Sequence, residues 1–97
     1  MTRDECLAAA MAATNGDRDE KHGQPEDSFT AIAMLWNAYF QSCGMAPDGF
    51  LTDEDVAVMM ILLKVARICT GSGNDDNFVD IAGYAACAAE INSIREG

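Results

Sequence analysis

Val56-Ala57-Val58-Met59-Met60-Ile61-Leu62-Leu63-Lys64-Val65-Ala66-Arg67 decides the fold: eight apolar residues in a row, then two cations three positions apart. The clearest helix start in the chain lies just before it. Thr52 is placed to cap, Asp53-Glu54-Asp55 fill the electropositive first turn, and Leu51 can staple against Val56. The helix is expected to run to about residue 70, with Gly71 as its stop. Its middle is apolar nearly all round, so it should be the buried central helix. In a chain of 97 residues, such a helix also points to a homo-oligomer that covers the remaining face.

The period on either side is helical as well. After a Gly-Ser-Gly-Asn linker, residues 76–95 form a further helix, whose Ala82, Gly83, Ala85, Ala86, Ala88 and Ala89 keep its surface small enough for close packing. Upstream, a helix starts near Pro25, a good first-turn residue, and runs to about Ser42. Its Phe29, Ile32, Trp36, Tyr39/Phe40 and Cys43 recur at helical spacing, and Gly44, Pro47 and Gly49 then build a turn. At the N-terminus Thr2 and Glu5 make a capping box, and Cys6, Leu7, Ala10 and Met11 supply an apolar stripe until Asn15-Gly16. Residues 16–27 are polar and read as a long connection, of a length that is often functional or mobile. With no strand signal and no internal repeat, residues 1–97 make a single all-α domain, a four-helix bundle.

Composition narrows the function classes. Hydrophobic residues at 49% suffice for a core. Sixteen acidic against six basic residues give a net charge of -10, which argues against direct nucleic-acid binding and against an anionic membrane. The same charge suits a basic partner, or imitation of a nucleic-acid surface. Cys6, Cys43, Cys69 and Cys87 are widely spaced without a CxxC pair, so they speak against zinc and are expected as small core residues in a reducing compartment. The N-terminus lacks the apolar region of a signal peptide, and the longest apolar run falls short of the ~20 residues of a membrane span. A cytoplasmic protein is expected.

Between Lys21 and Arg95 the only cations are Lys64 and Arg67. Three apart, they share a helix face. Asp76, Asp80 and Tyr84, four apart, form a polar stripe on the last helix, flanked by Asn77. A short loop makes the two helices antiparallel neighbours, so the two sets can meet. They then form either a structural salt-bridge network or a ligand site, in which Lys64 and Arg67 hold a phosphate and Tyr84 offers a hydroxyl or stacking face. Asp17, Arg18 and His22 in the connecting loop are further candidates, though a solvated connection is the simpler expectation for them. Trp36 is a candidate stacking platform, against its commoner use as a core anchor. No Walker glycine loop and no serine–histidine–acid order is present.

Gly16-Asp17-Arg18, His22-Gly23, Phe29 with Trp36, Asp55-Val56-Ala57-Val58-Met59-Met60, Lys64-Val65-Ala66-Arg67 and Asp76-Asn77-Phe78-Val79-Asp80-Ile81-Ala82-Gly83-Tyr84 together resemble a family of small phage and prophage proteins of unknown function, over roughly residues 12–92. The resemblance implies a phage-related intracellular protein with a polar site shared by the loop and the last two helices. A weaker similarity is to the MazG-like all-α nucleotide pyrophosphatases, which hold magnesium on a Glu-Glu-x-x-Glu cluster and a Glu-x-x-Asp pair. Here the central helix has no carboxylate after Asp55, so Asp76 and Asp80 would be left beside two cations. That is a poor magnesium site. Binding is therefore expected over hydrolysis, with no cofactor, and with magnesium only in the hydrolase case. The expected functions are, in order, sequestration of a nucleotide or nucleotide-derived signal of host defence, acidic inhibition of a host defence protein in the manner of an anti-CRISPR or DNA mimic, and nucleotide pyrophosphohydrolysis.

Overall fold

A computed structural model describes residues 1–15, 25–45, 49–71 and 75–96 of the chain. Every regular element among them is an α-helix: α1 (Arg3–Thr14), α2 (Pro25–Ser42), α3 (Asp53–Cys69) and α4 (Asp75–Glu96). All four expected helices are present.

Their ends are fixed by local chemistry. At α1 the Glu5 N–H donates to Thr2 Oγ1 at 3.1 Å, and the Thr2 N–H donates back to Glu5 Oε1 at 3.0 Å. These bonds, the Thr2 backbone first and its hydroxyl second, hold the Glu5 carboxyl below its usual range. The box therefore persists above the usual glutamate range and is lost only as pH falls through that lowered value. At α3 the same reciprocal pair forms between Thr52 and Asp55, at 3.2 and 2.9 Å. Helix α2 closes in a Schellman turn: Gly44 takes φ +73°, its N–H donates to Gln41 O, and the Met45 N–H donates to Phe40 O at 2.8 Å. Gly71, at φ +74°, ends α3 in the place expected.

The core gathers Phe29 and Ala33 of α2, Val56 and Ala57 of α3, and Cys87 and Ile91 of α4, with Ile32, Trp36, Leu51, Met60, Tyr84 and Ala88 packed around them. Helix α4 is the hub. Among the described residues it touches each of the other three helices, whereas α1 touches α4 alone. Buried Gly83 lies at that contact, where a Cβ would sit 3.4 Å from Thr14 Cγ2, an ordinary van der Waals distance.

Three expectations need correction. Helix α3 is not buried through its middle, for Val58, Leu62, Leu63, Val65 and Ile68 are exposed and only Val56 and Ala57 are fully covered. The cause is topological: α1 packs on α4, so nothing among the described residues caps the far side of α3. On α1 itself, Leu7 and Met11 face solvent, and the helix packs through Ala10 with the half-buried Cys6, Ala9 and Thr14. None of the four cysteines is in a disulfide, but only Cys87 is a core residue; Cys6 is half-buried, and Cys43 and Cys69 are exposed. Among the described residues no helix is long and apolar enough to cross a membrane.

Candidate functional site

The polar face between α3 and α4 is a ladder. Lys64 Nζ lies 2.9 Å from Asp80 Oδ2. One helical step toward the loop, Arg67 Nε donates to Asn77 Oδ1 at 3.2 Å. At the far end of the same pair of helices, Asn92 Nδ2 donates to Glu54 Oε1 at 3.1 Å. Three steps back along α3 match three steps forward along α4 between the first two rungs, which is the register of antiparallel helices. Of the α4 stripe, Asp80 meets Lys64, while Arg67 meets the flanking Asn77.

What they do on meeting is mostly satisfy one another. The Lys64 side chain is 17% exposed and that of Asp80 38%, so the pair is only partly shielded and is worth about 1 kcal/mol or less. Among the described residues Asn77 is the one buried polar side chain, at 3% exposure, and its carbonyl oxygen accepts from Arg67. Removing a carbonyl so deeply placed would cost more than the surface ion pair. Asp76 is exposed and belongs to neither rung. Tyr84 is half-buried and packs against the core cluster, its ring 6.1 Å from that of Phe29 and tilted by 42°. Trp36 is likewise half-buried against the core cluster. Asp17, Arg18 and His22 lie outside the described residues.

Of the candidates, Lys64, Arg67, Asn77 and Asp80 are thus drawn into one group, while Tyr84 and Trp36 contribute to the packing of α2. Among the described residues, no three of His, Cys, Asp and Glu gather into a metal-binding group. A separate open hollow of about 550 Å³ lies between the starts of α1 and α4, lined in part by Arg3, Cys6, Leu7, Asp75 and Phe78. There the Met1 amine stands 3.5 Å from Asp75 Oδ2.

One structural residue escapes a helical-period reading. Asn37 on α2 accepts from the Leu51 N–H at 2.9 Å and donates to the Leu51 carbonyl at 3.1 Å. It copies a backbone pairing and fixes the segment that leads into the Thr52 cap. Its polar position among Trp36, Phe40 and Ala33 is the only trace it leaves in sequence.

A family model described as a domain of unknown function, DUF6378, matches residues 5–92. The chain belongs to that family. The match begins within α1, a few residues before the span of roughly 12–92 over which the motifs carry the resemblance. The DUF6378 chain is 43% identical over 79 residues to the Gene 55 protein of Mycobacterium phage L5, covering 81% of this chain and 47% of that protein. It is 35% identical over 85 residues to the Gene 55 protein of Mycobacterium phage D29, covering 88% of this chain and 52% of that protein. The chain therefore spans about half the length of these relatives. The resemblance to phage proteins of unknown function is borne out. No solved structure matches the chain.

Proposed function

We propose that this DUF6378 chain is a non-catalytic, acidic protein-interaction factor that works as a homo-oligomer and engages a partner with a basic surface. The observation that supports oligomerisation is the set of large apolar side chains open to solvent, among them Met34, Leu35 and Tyr39 on α2 and Val58, Leu62 and Val65 on α3. The net charge of -10 supports a basic partner. In this account the Lys64 and Arg67 rungs hold α3 to α4.

Light scattering across the micromolar range tests the assembly. The expected result is a mass above that of one chain, rising with concentration. A monomer at every concentration would remove this function. Capture from a host lysate tests the partner: its binding should weaken with added salt, because the contact pairs opposite charges.

A second function is favoured by one feature. Arg67 is exposed, and among the described residues only its Nε is engaged, so the guanidinium edge is oriented by Asn77 beside Lys64. That arrangement suits a phosphate group, and with it sequestration of a nucleotide or nucleotide-derived signal of host defence. Calorimetry against nucleotides and cyclic dinucleotides decides it. Binding lost in Arg67→Ala supports this function, and binding equal in wild type and variant removes it.

A further inference from the structure

The open face of α3 has a spacing of its own. Asp55, Val58, Leu62, Val65 and Cys69 succeed one another at intervals of three, four, three and four residues, which is the a/d seam of a heptad helix. All five are exposed, Val58 at 46%, Leu62 at 60% and Val65 at 41%, whereas the positions that meet α2 and α4, Val56, Ala57, Met60 and Lys64, lie on the other side. The flanking positions are Met59, Ile61, Ala66 and Ile68, so no charge interrupts the stripe between Val58 and Cys69. A seam this regular, with apolar flanks, is built to receive another helix.

We infer that the occupant is a second copy of this chain, its α3 lying antiparallel across the first about a two-fold axis at Leu62. This rests on the homo-oligomer proposed above and names its interface. Two observations single out a second copy. The stripe is centred on Leu62, so a two-fold axis there lays each half on the other half. Residues 56–74 contain no Asp or Glu, which makes this the segment where two chains of net charge -10 repel least.

Charge also selects the direction. In a parallel pair the carboxylates Asp53, Glu54 and Asp55 of one copy would stand against the same three of the other. Antiparallel, each Asp55 faces the Cys69 end of its partner, and the two acidic turns are about 21 Å apart at 1.5 Å per residue. Leu62 of one copy then meets Leu62 of the other, while the two Cys69 thiols are separated by a similar ~21 Å.

Cross-linking tests the geometry. Leu62→Cys, made together with Cys43→Ser, is treated with a short bis-maleimide and the linked peptides are mapped by mass spectrometry. The expected product joins residue 62 of both copies, and no product joins Cys69 to Cys69. Leu62→Glu should retain its helix content, since the side chain is exposed in the single chain, and should weaken self-association at least tenfold. Added salt should strengthen association of the wild type by screening the like net charges, opposite to its effect on a basic partner. A chain that associates, yet links Cys69 to Cys69 or is unaffected by Leu62→Glu, overturns this interface and leaves the homo-oligomer standing. A wild type that stays monomeric overturns both.

Discussion

Phe29→Ala lowers the unfolding free energy by about 3–5 kcal/mol. The phenyl ring is 6% exposed and stands in the cluster with Ala33, Val56, Ala57, Cys87 and Ile91, so it bridges α2 to both α3 and α4. It also meets the Tyr84 ring at 6.1 Å, a contact that truncation removes along with the buried area. A domain of this length has about 5–15 kcal/mol in total, so the variant sits at the edge of folding. Phe29→Leu, which keeps most of the volume, should cost less than half as much. Urea unfolding at fixed protein concentration measures both. A loss near 1 kcal/mol for Phe29→Ala would mean that α2 is not docked as described.

Asn37→Ala should cost about 2–3 kcal/mol, because it breaks two hydrogen bonds and leaves the Leu51 N–H and carbonyl to find other partners in a half-buried place. Asn37→Asp is the sharper probe. Its carboxylate can still accept from the Leu51 N–H, but it opposes the Leu51 carbonyl oxygen where Asn37 donated. The folded state then favours the protonated acid, so the carboxyl is raised above its unfolded value. A group raised in this way loses stability as pH increases and regains it as pH falls. Unfolding of Asn37→Asp should therefore approach wild type under mildly acidic conditions and diverge from it at neutral pH. Equal deficits at both would show that the amide does not donate to Leu51.

The helices were legible because their ends follow short rules. Thr2 with Glu5, Thr52 with Asp55, and Gly71 at positive φ each do what their residue types allow within a few positions. The meeting of Lys64 with Asp80 was legible too, since a short loop forces neighbouring helices into antiparallel register. Burial was harder to read. An apolar run tells that a helix wants cover, not which neighbour supplies it, and α1 went to Gly83 on α4 instead of to α3. Hence Leu62, which looked like core, is exposed in the single chain. Asn37 was out of reach for a related reason: its partner Leu51 is fourteen positions away and is recognised through its backbone, which has no sequence signature.

The same gap bears on function. The cation pair that invites a ligand has partners within the fold, and the apolar run that invites a core faces outward. An account built on these two facts assigns the charges to holding α3 on α4 and the apolar stripe to assembly. A double-mutant cycle on Lys64→Met and Asp80→Asn tests the first part most directly, by urea unfolding at one protein concentration. A favourable coupling of about 0.5–1 kcal/mol that shrinks with added salt is expected. Strict additivity of the two substitutions, within about 0.3 kcal/mol, would contradict it and free Lys64 for a ligand.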